Sequence, residues 1–192
     1  MKRAVLVNGV PASGKSTVAR GISVRTGWLL FTLDRVKEPF FDELGIGDRE
    51  FNRALGRASY AAIWSLVADA PNEATVVVDA WFGFQPIEIL EGHLMRAGVG
   101  ATAEVWCHAS NEAVVARYEA RLGERHPGHP GAAYLRELVA LNEQAKPIQR
   151  GPILNVDTTK ENDLDAITAW VRGTFRLPPK TDREAVRRAA EG

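Results

Sequence analysis

Cysteine is almost absent from this chain. Cys107 stands alone among 192 residues, which excludes an intrachain disulfide and any framework of paired or metal-binding cysteines. An excess of either charge is missing too. Twenty-four Lys and Arg balance twenty-four Asp and Glu, so the basic surface of a dedicated nucleic-acid binder is not expected. Long hydrophobic runs are also lacking. The opening Ala4-Val5-Leu6-Val7 gives way at once to Asn8-Gly9, too short for a signal-peptide core or a membrane span. These absences lead to the expectation of a reducing, cytoplasmic setting, with neither a membrane nor a nucleic acid as partner. Repeats and low-complexity tracts do not occur, and no segment specifies self-association.

What is present is a globular balance, 45% hydrophobic and 25% charged, at a length that suits one domain with a real core. Short apolar runs at 3–8, 28–33, 75–79, 102–108 and 153–156 are rich in Val, Leu and Ile. Apolar at nearly every position, they predict strands covered on both faces, as in an α/β fold with a mainly parallel sheet. Helices are expected over 15–26, 48–68, 86–97, 110–122 and 134–145, and after Asn162 or Asp163. Asp48 and Ser110 are placed as N-caps. Phe51, Leu55, Ala58, Ala62 and Leu66 recur at spacings of three and four, one apolar stripe. Two Pro, several Gly and two His mark 123–131 as a mobile loop. Leu177-Pro178-Pro179 divides a domain over 1–176 from a charged tail over 177–192.

The segment Gly9-Val10-Pro11-Ala12-Ser13-Gly14-Lys15-Ser16 satisfies G-x-x-x-x-G-K-[ST] at every fixed position. This spacing lets the chain wrap a phosphate with consecutive backbone N–H groups pointing inward, Ala12 and Ser13 among them. Gly9 and Gly14 permit close approach that a Cβ would block. Lys15 can follow the β- and γ-phosphates of a nucleotide, Ser16 can ligate Mg²⁺, and Thr17 continues the first turn of a helix whose N-terminus favours anions. A strand ending at Asn8 and a helix starting at Lys15 supply the context the motif demands.

Ligands of open parallel sheets bind beyond the carboxyl ends of the strands. Asp34 follows the second strand and Asp79 ends the third. Asp34 is the candidate general base for an attacking hydroxyl, and Asp79 a candidate on the Mg²⁺ or the substrate side. Either could instead cap the next element. Arg35 and Lys37 could hold an anionic or hydroxylated substrate or form a solvated face. Trp81, Phe82 and Phe84 could wall a substrate or fill the core. Arg117, Arg121 and Arg125 recur every four residues, sharing one face of a continuous helix. At least one, with Arg121 the first choice, is expected on phosphate, where an arginine in cis can stabilise charge on the transferring group. The alternative pairs them with Glu119 or Glu124. His126-Pro127-Gly128-His129 reads as turn chemistry rather than a metal site, and Cys107, inside a strand, as an inert buried thiol.

In order, 9–17 (GVPASGKST), Leu33–Leu44 (LDRVKEPFFDEL), 76–80 (VVVDA), 125–129 (RHPGH) and 156–159 (VDTT) resemble a broad family of bacterial P-loop kinases. These are grouped with AAA-like ATP-binding proteins, and their relatives include chloramphenicol phosphotransferase, the zeta toxins and gluconate kinase. The resemblance spans about residues 3 to 173. It implies a P-loop NTPase fold with a five-stranded parallel sheet of nucleoside-kinase type, strand one between strands three and four, helices on both faces and a helical lid. It further implies Asp34 as base, Lys15 and Ser16 on ATP and Mg²⁺, Arg121 in the lid, and adenine near the loop after strand five, around 157–159, which includes Thr158. The substrate-specifying sequences of gluconate and shikimate kinases are not found, so no named acceptor is carried over. The expectation is therefore an ATP-dependent kinase acting on a hydroxyl of a small molecule. Its competitors are a P-loop hydrolase or switch and a polynucleotide or sugar-nucleotide kinase. No N-K-x-D segment reads guanine, and the length leaves no room for the extra helical domain of a ring motor.

Overall fold

The five apolar runs become the five strands of one parallel sheet. In the computed structural model, which describes residues 1–178, β1 (Lys2–Asn8), β2 (Leu29–Thr32), β3 (Thr75–Ala80), β4 (Val99–His108) and β5 (Ile153–Asp157) take the order β2-β3-β1-β4-β5. All four ladders are parallel, and β1 lies between β3 and β4 as the resemblance implied. The division of the chain near residue 176 falls at the edge of the described residues, and 179–192 of the expected tail lie outside them.

Alternation along the strands gives the sheet two apolar faces. Val5, Val7 and Val77 face α1 (Lys15–Thr26) and α7 (Leu164–Thr174). Leu6, Val76 and Val78 face α3 (Arg49–Asp69) and α4 (Ile87–Arg96). A smaller cluster around Val10, Tyr118 and Leu138 joins α5 (Asn111–Ala120) and α6 (Leu135–Gln144) to the first loop. The expected caps are in place. Asp48 accepts from Phe51 N at 2.8 Å, Ser110 from Ala113 N at 3.3 Å, and Asp163 from Asp165 N and Ala166 N.

Two expectations need correction. The stripe proposed for α3 has the wrong phase: Ala58 is exposed and Leu66 is 53% exposed. The buried face carries Leu55, Ser59, Tyr60, Ile63, Trp64 and Val67. Aromatic rings with polar edges and a small Ser fill the helix–sheet gap better than the alanines counted in the apolar pattern. Secondly, Leu33 does not end β2. It opens an unforeseen helix, α2 (Leu33–Leu44), despite Pro39 inside it. A proline there removes one hydrogen bond and normally argues against a helix. Tertiary contacts override it: Leu33 and Val36 pack on the core, and Phe41 is 2% exposed.

The corrected phase predicts opposite outcomes one helical turn apart. Ile63→Ala, at 0% exposure, should cost about 2–5 kcal/mol. Leu66→Ala should stay within about 0.5 kcal/mol. Urea unfolding of the two variants measures both.

Candidate active site

The phosphate loop leaves the sheet under tight restraint. Asn8, fully buried at the end of β1, accepts from Gly9 N at 2.8 Å and from Phe82 N at 3.1 Å through its side-chain oxygen. Its amide donates to Glu104 Oε1 at 2.8 Å. Glu104, also fully buried, accepts in addition from Ile148 N and Gln149 N, each at 3.0 Å. Burial pushes the Glu104 carboxyl up, and the hydrogen bonds from Asn8 and the backbone oppose that rise. Glu104 lies within the apolar run 102–108 and drew no reading of its own from the sequence. It is the anchor that fixes the root of the loop.

Gly9 has φ 153°, and a Cβ there would lie 2.4 Å from Cys107 O, so only glycine fits. Gly14 has φ 83°, and a Cβ would touch the Thr158 side chain at 3.0 Å. Ala12, with φ 65°, takes the left-handed conformation without being glycine, a strain characteristic of functional loops. Thr158 donates to Ser13 O at 2.7 Å, tying the loop after β5 to the phosphate loop. Arg117 grips that threonine twice, from Nη1 to Oγ1 at 3.0 Å and from Nη2 to the carbonyl at 2.6 Å.

Two cavities open on either side of this loop. One, of about 490 Å³, lies between Gly14, Thr17, Arg117, Thr158 and Asn162. The other, of about 210 Å³, holds Lys15, Ser16, Asp34, Asp79 and Trp81. Ala12 and Arg121 border both. Asp79 pairs in register with Val7 of β1 and Thr32 of β2, which sets it against the mouth of the loop. It is 1% exposed, and neither carboxylate oxygen has a hydrogen-bond partner among the described residues. Burial pushes its pKa up, against the pull of Lys15 and of the Ser16 hydroxyl close by. Ser13 Oγ is buried and unpartnered as well. A cradle of backbone N–H groups beside Lys15, Ser16 and an uncompensated carboxylate fits a nucleoside triphosphate carrying Mg²⁺. No cluster of three His, Cys, Asp or Glu forms a separate metal site among the described residues.

Asp34 sits in the first turn of α2, where the helix dipole favours its charge. Crowding alone raises its pKa, but His129, Lys15, Arg125 and Lys37 outweigh this and hold it below the usual carboxylate value. Arg125 Nη2 lies 3.5 Å from Asp34 Oδ2. Because α2 is a helix, Arg35 and Lys37 part company: Lys37 turns into the smaller cavity beside Asp34, whereas Arg35 is exposed and borders neither cavity. Trp81 and Phe84 border that cavity, while Phe82 is 4% exposed in the core. Asn52 and Arg53 of α3 line it too. Both were missed because the polar face of an amphipathic helix reads as solvent-facing.

The arginines do not share one helix face. Helix α5 ends at Ala120, Arg121 stands at its C-cap, and Arg125 lies in the turns beyond. Arg117 holds the loop after β5, Arg121 borders both cavities, and Arg125 reaches Asp34. Among the described residues no ion pair joins them to Glu119 or Glu124. Nor is the 123–131 segment poor in contacts. His126 stacks on Phe41 at 5.1 Å, with Nδ1 accepting from Gly128 N and Nε2 placed 3.1 Å from Asp42. His129 lies 3.0 Å from Glu38, Asn52 donates to Gly128 O, and Tyr118 donates to Pro130 O. The loop is pinned to α2 and α3, and both His residues are structural. Cys107 is fully buried and its thiol is pushed up to about 12, which keeps it inert.

No protein-family model and no curated protein matches the chain. Solved structures do. A protein of Chloroflexus aurantiacus described as a kinase is 27% identical over 90% of this chain and 98% of that one, with a TM-score of 0.79. A gluconokinase of Sinorhizobium meliloti is 21% identical over 90% and 91%, TM-score 0.55. A shikimate kinase of Bacteroides thetaiotaomicron is 16% identical over 91% and 98%, TM-score 0.58. The latter two speak to fold alone. The fold is that of the P-loop small-molecule kinases, with nucleoside-kinase strand order.

The anchoring role of Glu104 predicts a double effect. Glu104→Ala strands Asn8 and two backbone N–H groups, and should destabilise by about 1–3 kcal/mol. It should also weaken nucleotide binding, because the loop root is freed. Thermal unfolding and titration with a fluorescent ATP analogue read the two losses. Stability loss with unchanged nucleotide affinity would reduce Glu104 to a packing residue.

Proposed function

We infer that the chain is an ATP-dependent phosphotransferase that moves the γ-phosphoryl group to a hydroxyl of a small molecule. The observation that carries this reading is the pair of adjoining cavities. A hydrolase or switch needs a nucleotide pocket and a water. A transferase needs a second, enclosed volume on the far side of the γ-phosphate with a base inside it. Here the second cavity adjoins the first at Ala12 and Arg121 and contains Asp34.

In the proposed reaction the nucleoside occupies the larger cavity, near Thr17, Thr158 and the Arg117 clamp. Backbone N–H groups of the loop and Lys15 hold the phosphates. Ser16 and Asp79 would hold Mg²⁺, which when bound neutralises charge on the β- and γ-phosphates. The acceptor hydroxyl lies against Asp34. Its oxygen bonds to the γ-phosphorus, the bond from that phosphorus to the bridging oxygen breaks, and the proton passes to the Asp34 carboxylate. A carboxylate held below its usual pKa is a weak base. Asp34 therefore orients the hydroxyl and takes its proton late, once bonding to phosphorus has acidified it. Arg121, on the seam, stabilises charge on the equatorial oxygens. A cytoplasmic setting, where ATP and Mg²⁺ are at hand, belongs to the same proposal. No helix among the described residues is long and apolar enough to cross a membrane.

Lys15→Ala should abolish most ATP-dependent turnover in a folded protein, since Lys15 is only half-buried and lines the smaller cavity. Asp34→Asn should lower kcat by about 10²–10⁴-fold with little change in ATP affinity. Steady-state ADP formation and nucleotide titration measure both. A loss confined to ATP binding would move Asp34 to the metal side of the site.

Arg121→Ala should cut kcat by about 10²–10³-fold, as for a lost charge-stabilising donor. Amide exchange over 123–131 should already be slow without nucleotide, because the segment is pinned to α2. Asn52→Ala should speed exchange at Gly128 and His129 by freeing one of those pins.

A further inference from the structure

Five cations border the smaller cavity, Lys15, Lys37, Arg53, Arg121 and Arg125, against two carboxylates, Asp34 and Asp79. Lys15 and Arg121 belong to the phosphates on the reading above, and Arg125 pairs with Asp34 at 3.5 Å. Two positive charges are left over. Lys37 is 8% exposed, and its ammonium donates to a neutral oxygen, Asn52 Oδ1, and lies 5.1 Å over the Phe41 ring. Among the described residues it makes no ion pair. A buried ammonium with a single neutral acceptor has unused donors, and the one carboxylate whose field it feels, Asp34, is shared with Lys15 and Arg125, so cation exceeds anion here until a further anion completes the set. Arg53, at the exposed rim of the same cavity, likewise makes no ion pair or side-chain hydrogen bond among the described residues. Its planar fork suits a carboxylate or a phosphate.

We propose that the acceptor is a small hydroxylated acid, whose carboxylate or phosphate is held between Lys37 and Arg53 while its hydroxyl meets Asp34. The proposal rests on the kinase reading and narrows it. Asp34 and Lys37 are three residues apart on α2, so base and anion site occupy one helix face, with Cβ atoms about 5–6 Å apart. Hydroxyl and oxyanion are therefore separated by only a few bonds. The volume of about 210 Å³ agrees, since pockets for drug-sized ligands run to about 300–1,000 Å³. A single ring or a short chain fits. Trp81 and Phe84 offer its carbon skeleton an apolar wall.

The test is ADP formation by the full chain with matched acceptors: aldonates against alditols, cyclic hydroxy acids against their methyl esters, and sugar phosphates against free sugars. Thermal shift with each compound, at saturating non-hydrolysable ATP analogue, is the second readout. Acidic members should exceed their neutral partners at least about tenfold in kcat/KM, or half-saturate at a concentration at least about tenfold lower, the scale of a lost charge-assisted contact. Arg53→Gln, at an exposed position, should remove that preference by raising KM for the acid with little change in kcat or melting temperature. The carboxylate and phosphate pairs tell the two oxyanions apart. Neutral and acidic members acting alike, no acid registering at millimolar concentration, or a preference that survives Arg53→Gln would each overturn the proposal. Failure of the wild-type chain to bind the ATP analogue would instead overturn the kinase reading itself.

Discussion

The side chain of Asn8 is the joint on which the site hangs. It ends the central strand, and its amide group bonds to Glu104 of β4, to its neighbour Gly9 at the root of the phosphate loop, and to Phe82 beyond β3. In a fully buried position each of these bonds is costly to lose, because water cannot replace it. Glu104 extends the joint to Ile148 and Gln149 on the far side of α6. One buried carboxylate–amide pair thus fixes the phosphate loop, the end of β3 and the approach to β5 relative to one another. The loop can keep its strained Ala12 and its open cradle because this frame does not yield.

Beyond the joint, charge is distributed by distance from the loop. Asp79 is buried at its mouth without a hydrogen-bond partner among the described residues. Asp34 stands one strand away at a helix N-terminus, ringed by Lys15, Lys37, Arg125 and His129. The two carboxylates therefore move in opposite directions, Asp79 up through burial and Asp34 down through its cationic neighbours. Divergent carboxylates of this kind are a signature of divided roles within one site.

The segment after α5 shows how contacts override composition. Its Gly and Pro content predicts a loose connector. Gly128, however, lies where a Cβ would strike the Phe41 ring at 2.5 Å, so glycine here permits close packing rather than freedom. His126 and His129 then flank Phe41 and reach Asp42 and Glu38. Arg125 is carried to Asp34 by that same attachment.

Much of this protein was determined by the sequence itself. The strands, the helix after the phosphate loop, the caps at Asp48 and Ser110 and the cradle from Gly9 to Ser16 are local patterns, set by periodicity, capping chemistry and fixed spacing within one segment. The parallel α/β class follows from runs apolar at nearly every position. What lay beyond the sequence was decided by packing between segments distant along the chain. Helix α2 survives its proline because Leu33, Val36 and Phe41 are buried by other elements. Only that helix separates Lys37 from Arg35, and only the crossing of α3 brings Asn52 and Arg53 to the cavity. The fan of Arg117, Arg121 and Arg125 depends on where α5 stops, which its periodicity does not mark. Glu104 and Asn8 meet 96 residues apart, and hydrogen-bond complementarity over that separation exists only once the sheet has formed.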